Sequence, residues 1–141
     1  MYDLDRFVSA QNPVYEQVCR ELRAGRKTSH WMWFVFPQIA GLGMSPMAQR
    51  YAIVSRAEAK AYAAHAILGA RLRECTRLVL AVENRTLRQI FVSPDDMKFK
   101  SSMTLFARAA DDNLLFVQAI EKYCGGLFDE RTIDLSGDHV D

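Results

Sequence analysis

The sequence lacks a long apolar run, an export signal and a paired set of cysteines. The longest apolar run covers residues 31–37, far short of the roughly 20 residues that a bilayer-spanning helix needs. Residues 1–5 are acidic and lack the basic-then-apolar order of a signal peptide. The three cysteines are odd in number and have no C-x-x-C spacing, which argues against a disulfide framework and a zinc site. We therefore expect a soluble, cytoplasmic protein that needs no metal and no cofactor.

Several catalytic motifs are also missing. The chain has no G-x-S-x-G elbow, no H-E-x-x-H pair and no P-loop, and its three histidines lie far apart. These absences argue against the serine hydrolases, zinc proteases and P-loop NTPases that such motifs mark. Cys19, Cys75 and Cys124 each lie among apolar residues at helical spacing, so we expect them to be buried, unreactive residues of the core.

What the chain does have is an ordinary globular composition with an uneven distribution of charge. Its 141 residues are 50% hydrophobic and 25% charged, which predicts one domain over residues 1–141. Residues 1–110 carry 16 basic and nine acidic residues, whereas residues 111–141 carry two and eight. We expect the acidic segment to lie over the basic body, either for stability alone or as a shield over a surface that binds anions. Residues 127–141 are predicted to form an irregular acidic tail.

Helix start and stop signals recur along the chain and predict an all-α fold of about seven helices. Three cap-then-proline pairs predict helix starts at Asn12, Ser45 and Ser93. A capping-box pattern at residues 55–58 opens a long helical stretch that breaks near residues 65–69. No run of β-branched residues between turn signals demands a sheet.

A first group of residues has the chemistry to hold a ring and a phosphate. Histidine exchanges protons near neutral pH, indoles stack on planar groups, and a helix start after glycines offers free amides to an anion. The alternative is that the aromatic residues anchor the core and the glycines only turn the chain. The group comprises His30, Trp31, Trp33, Gln38, Gly41, Gly43 and Ser45.

A second group lies at the start of a later helix and comprises Asp96, Lys98, Ser101 and Ser102. Lys98 and Ser102 border an apolar stripe, so they could face a cleft in which the lysine binds an anion. The alternative is structural, because acids in the first turn and acid–lysine pairs three or four residues apart stabilise a helix surface by roughly 0.2–0.5 kcal/mol per pair.

Several segments resemble the family of domains of unknown function numbered 1810. They are HWMWFVFPQ at residues 30–38, GLGMS at 41–45, DMK at 96–98 and SSMTLF at 101–106. The resemblance covers nearly the whole chain and implies a small, mainly α-helical bacterial protein, which favours a helix over residues 30–36. It implies no established activity, and nothing in the sequence supports the label calpastatin that some members carry.

The order of an aromatic block, an alanine-rich helix and a helix with Lys98 is also similar to N-glycosidases that act on ADP-ribose and related nucleotides. Our first functional hypothesis is a site for a small nucleotide-like or sugar-phosphate ligand, with N-glycosidase-like hydrolysis as an extension. The alternative is a non-catalytic protein-interaction module. A small anionic ligand is the expected partner, and we expect no association with a membrane. The near-neutral net charge of +1 argues against nucleic acid, and the sequence predicts no particular oligomeric state.

Overall fold

The computed structural model describes residues 2–137 of the chain. Every regular element in this range is a helix, and an isolated bridge between Ile39 and Ile53 is the β-type pairing found there. The prediction of an all-α fold is confirmed, but the described residues form ten helices rather than about seven. They are α1 (Asp5–Gln11), α2 (Tyr15–Arg23), α3 (Met32–Val35), α4 (Pro46–Arg50), α5 (Arg56–Ala64), α6 (Leu68–Ala81), α7 (Leu87–Phe91), α8 (Asp95–Ala109), α9 (Leu114–Cys124) and α10 (Glu130–Ser136).

The predicted break in the long helical stretch is confirmed and separates α5 from α6. His65 ends α5 in an extended conformation, and its Nδ1 accepts hydrogen bonds from the amides of Ile67 and Leu68, at 3.1 and 3.2 Å. This side chain satisfies two amides at the start of α6 that have no partner within the helix. The two helices then pack closely, because a Cβ on Gly69 would lie 2.2 Å from the carbonyl oxygen of Ala63.

The prediction of an irregular tail over residues 127–141 is wrong for α10. Asp129 precedes this helix, and its carboxylate accepts a hydrogen bond from the amide of Thr132 at 3.3 Å. Gly137 ends the helix with a φ of +79°, a conformation that glycine adopts without strain. The cap and the terminal glycine explain why a polar segment is helical. Residues 138–141 of the predicted tail lie outside the described residues.

One of the three predicted cap-then-proline pairs works as expected. Ser45 is extended, and its hydroxyl accepts a hydrogen bond from the amide of Ala48 at the start of α4. Asn12 instead has helical dihedral angles and follows directly on α1, so it does not cap α2. Pro94, and not Ser93, precedes α8, which begins without a side-chain cap.

The core is built around the aromatic block and α8. The Phe36 ring lies 5.0 Å from the Phe99 ring and 5.9 Å from the Phe91 ring, both edge-on. Within the block, Trp31 and Phe34 are buried as well, whereas Trp33 is partly exposed. In the part of the chain that the structure describes, no helix has the length and apolar composition needed to cross a bilayer.

The acidic final segment contacts the basic body through surface ion pairs. Asp111 lies 3.5 Å from the ammonium of Lys60, and Asp112 lies 3.7 Å from the guanidinium of Arg73. Both carboxylates are mostly exposed, so each pair contributes at most about 1 kcal/mol to folding.

Candidate functional site

Four residues of the first predicted group line one cleft between α3 and α4. The cleft encloses about 10 Å³, which is room for roughly one water molecule. A bridge holds its floor in place, because the amide of Ala40 donates to the carbonyl of Ile53 and the amide of Ile53 donates to the carbonyl of Gln38, at 2.8 and 2.9 Å. The lining residues are Trp33, Gln38, Ile39, Gly41, Gly43, Ala48, Tyr51 and Ala52.

The other three residues of that group do not line the cleft. Trp31 is 1% exposed, and its indole N–H donates to the carboxylate of Glu21 at 2.9 Å, so it anchors the core. His30 is exposed and is not among the residues that line the cleft. Ser45 uses its hydroxyl to cap α4. For these three residues the geometry supports the structural alternative.

Glu21 is the buried acceptor that holds the segment before α3. Its carboxylate accepts hydrogen bonds from the amides of Thr28 and Ser29, at 2.7 and 3.0 Å, besides the bond from Trp31. Burial opposes ionisation, but the hydrogen bonds from Ser29, Thr28, Gln17 and Trp31 outweigh it and lower the pKa of Glu21 to about 2. Ionised Glu21 therefore fixes the chain that leads into the aromatic block.

Lys98 joins the second predicted group to the first. Its ammonium lies 5.6 Å from the centroid of the Trp33 ring, at the distance of a cation–π contact. It also lies 3.4 Å from the carboxylate of Asp95, which forms a shorter pair, at 2.9 Å, with Lys27. Two lysines share the carboxylate of Asp95, so these three groups carry a net positive charge beside Trp33.

The other members of the second group have separate roles. The hydroxyl of Ser101 donates to the carboxylate of Asp129 at 3.0 Å, which ties α10 to α8. Ser102 is buried, and within residues 2–137 its hydroxyl has no hydrogen-bond partner. Its spacing from Lys98 places both side chains on one face of α8. One carboxylate oxygen of Asp96 is also buried without a partner in that range, but Asp96 lies on another side of the helix.

The final helix covers the glycine loop beside the cleft. A Cβ on Gly41 would lie 3.3 Å from a methyl carbon of Leu135, and Gly41 has a φ of +103° that favours glycine. Arg131 donates to the carbonyl of Gly41 at 3.4 Å. Because Asp129 also binds Ser101, α10 bridges the two predicted groups.

The family of proteins of unknown function designated DUF1810 matches residues 1–135 of this sequence. The chain belongs to the DUF1810 family. A crystal structure of the conserved hypothetical protein Rv1873 from Mycobacterium tuberculosis is similar to it, with a TM-score of 0.93 and 60% sequence identity. The similarity covers 95% of this chain and 96% of the mycobacterial one. No functionally curated protein matches the chain significantly.

Sequence reasoning missed a larger surface groove of this DUF1810 chain. The groove has a volume of about 610 Å³, and its charged lining residues are Arg56 and Lys60 of α5, Arg108 of α8 and Asp111, which follows α8. These residues come from separate helices, so no sequence motif marks them. Lys60 pairs with Asp111, which reduces the positive charge of the groove.

A search of residues 2–137 for metal ligands finds no cluster of three or more histidine, cysteine, aspartate or glutamate side chains. The cleft instead combines an indole, an amide and two glycines, and the ammonium of Lys98 contacts the indole. Such groups can bind a ligand through stacking and hydrogen bonds to an anion.

Proposed function

We propose that this protein binds a small anionic ligand of the nucleotide or sugar-phosphate class at the Trp33 cleft. One observation carries the proposal: the Lys98 ammonium is held 5.6 Å from the centroid of the Trp33 ring, and Trp33 lines the same cleft as Gly41 and Gly43. An aromatic face and a cation in contact suit a ligand that has a flat ring and a phosphate.

The size of the cleft determines how such a ligand would bind. Pockets that enclose a drug-sized ligand have volumes of about 300–1,000 Å³, whereas this cleft encloses about 10 Å³. The ring would therefore pack against the exposed part of Trp33 at the mouth, and one small polar group would enter towards Gln38. The phosphate would pair with Lys98. Because most of the ligand would remain exposed, we expect moderate affinity.

Binding, rather than hydrolysis, is the function that this geometry supports. N-glycosidic hydrolysis needs a group that activates water or protonates the leaving group, which in most enzymes is a carboxylate or an imidazole. Among the described residues that line the cleft, none has such a side chain. Chromatography of the same protein–ligand mixtures measures any free base released from a nucleotide, which would indicate hydrolysis.

The interaction module gains no support from the aromatic block. Of its aromatic residues, Trp31, Phe34 and Phe36 are buried, and Trp33 is partly exposed. An exposed aromatic anchor is what a docking surface of that kind would need. We therefore favour the ligand site.

A thermal-shift screen with AMP, ADP-ribose and ribose 5-phosphate tests the proposal. A ligand at 100 times its Kd adds about 2.7 kcal/mol to the free energy of unfolding, and the melting temperature rises accordingly. Lys98→Met, with a Kd at least about tenfold higher, should lose about half or more of the rise at the same ligand concentration. Lys60→Met, which changes a lysine in the separate groove, should keep it. If no ligand stabilises the wild-type protein, or if only Lys60→Met abolishes the effect, the proposal is wrong.

A further inference from the structure

Two of the three cysteines meet where α2 packs against α6. The Tyr15 hydroxyl donates a hydrogen bond to the carboxylate of Glu74, and the sulfur of Cys75 lies 3.9 Å from the Tyr15 oxygen. Cys19 follows Tyr15 by one helical turn, so both side chains face α6. The thiols of Cys19 and Cys75 lie close enough to shift each other's pKa. A disulfide would bring the two sulfurs to an S–S bond of about 2 Å.

A surface groove borders one of the two cysteines, Cys19, which is 5% exposed. It has a volume of about 310 Å³. Cys19 lines it, whereas Cys75 is 0% exposed and lies behind. The other lining residues are polar and include two cations: Tyr15, Glu16, Arg20, Arg23 and Glu74.

The surroundings of the pair give the two thiols different acidities. The interaction with Cys75 lowers the pKa of Cys19 to about 6; burial and the nearby carboxylate of Glu74 oppose this effect, and Tyr15 and Arg23 add to it. The interaction with Cys19 and burial raise the pKa of Cys75. Cys19 is therefore the more acidic thiol of the pair and the one that more readily forms the reactive thiolate.

We propose that Cys19 and Cys75 form a peroxide-sensitive dithiol site that closes to an intramolecular disulfide. The Cys19 thiolate attacks hydrogen peroxide, the O–O bond breaks, and after proton uptake the products are a sulfenic acid on Cys19 and one water. The Cys75 sulfur then attacks the Cys19 sulfur and the S–O bond breaks, which gives the disulfide and a second water. The two thiols supply both electrons that reduce the peroxide. A dithiol reductant reverses the oxidation.

This site is independent of the Trp33 cleft and corrects the expectation that all three cysteines are unreactive. The reason is tertiary: Cys19 and Cys75 lie on different helices, and no spacing rule brings them together. Cys124 lies at the end of α9, is half-buried, and has a pKa that burial raises. Cys124 is therefore the internal reference thiol, which should stay reduced when Cys19 and Cys75 are oxidised.

The test treats the purified full-length protein with hydrogen peroxide and counts free thiols with a chromogenic thiol reagent. The count should fall from three to one, and intact mass should fall by two hydrogen atoms, with one protein chain per species. Proteolysis without reductant should release a peptide pair that joins Cys19 to Cys75. An unchanged thiol count, a disulfide-linked dimer, or oxidation confined to Cys124 would overturn the proposal.

Variants separate the two roles within the pair. Cys75→Ser should stop at the sulfenic acid, which dimedone traps on Cys19. After peroxide treatment, Cys19→Ser should keep both of its remaining thiols, because the attacking thiol is gone. Cys124→Ser should lose both of its remaining thiols to the disulfide. Circular dichroism checks that each variant is folded. The peptide pair is measured on the wild-type protein, so this test remains valid even if a variant does not fold. Trapping on Cys75 in place of Cys19 would contradict the assignment of the attacking thiol.

Discussion

The ammonium of Lys98 lies 5.6 Å from the centroid of the Trp33 ring, and this contact joins α8 to α3, whose Trp33 lines the cleft. A cation–π contact of this kind contributes about 0.5–2 kcal/mol, depending on its exposure. Asp95 holds the same ammonium at 3.4 Å, so the cation is in place before a ligand arrives. A positioned cation costs less entropy on binding than a mobile one.

Glu21→Gln should destabilise the protein by about 1–3 kcal/mol at neutral pH. The carboxylate accepts hydrogen bonds from Thr28, Ser29 and Trp31, whereas the amide NH₂ of a buried glutamine would face these donors without an acceptor. Urea unfolding measures the change. The exposed Glu121→Gln is the control and should shift the free energy of unfolding by less than about 0.5 kcal/mol. Equal stability of Glu21→Gln and the wild-type protein would contradict the role of Glu21.

Acid should destabilise the wild-type protein in a defined pH range. The pKa of Glu21 is about 2 when folded against 4.5 for an unperturbed glutamate, so the unfolded chain takes up the proton first. Its contribution is complete above about pH 4.5 and is lost as the pH falls towards 2. Urea titrations at several pH values should show a steeper loss in the wild-type protein than in Glu21→Gln. Parallel curves would refute this linkage.

Gly69→Ala should destabilise the protein by about 1–3 kcal/mol, because the new Cβ would lie 2.2 Å from the carbonyl oxygen of Ala63 and force α5 and α6 apart. Helix propensity alone predicts the opposite sign, a gain of about 1 kcal/mol. The neighbouring exposed Ala70→Gly measures propensity without the close contact and should lose about that amount. A stabilised Gly69→Ala would show that the two helices are not in tight contact there.

Asp129→Ala should release α10 without unfolding the core. The change removes the cap on the amide of Thr132 and the bond from Ser101. A lost cap costs about 1–2 kcal/mol, so amide exchange in α10 should accelerate roughly fivefold to thirtyfold. Hydrogen exchange followed by mass spectrometry measures this rate, with Glu130→Ala as the control. Unchanged exchange in α10 would mean that other contacts hold it.

The sequence indicates the helical class and some of the helix starts, because caps and glycines act locally. The Ser45 cap and the break near His65 are examples, and both depend on bonds to amides two or three residues away. The same rules could have found α10, since Asp129 and Gly137 frame it, but the polar composition of residues 127–141 suggested a tail.

The candidate site was only half predictable, because its members meet through tertiary contacts. Trp33 and Lys98 come together only when α3 packs near α8. Trp31 looks like a binding residue in the sequence, and its partner Glu21, on the preceding helix, is what makes it structural. Burial and partners of this kind depend on the packed fold rather than on spacing.

The most direct test of the Trp33 site is a tryptophan fluorescence titration with ADP-ribose and AMP. The chain has two tryptophans, of which Trp31 is 1% exposed, so saturable quenching reports on Trp33. We predict saturable quenching in the wild-type protein, none in Trp33→Phe, and a Kd at least about tenfold higher in Lys98→Met, since a charge-assisted contact contributes about 1.5–3 kcal/mol. Lys60→Met should bind like the wild-type protein. Absence of saturable quenching in the wild-type protein, or unchanged binding in Lys98→Met, would contradict the site.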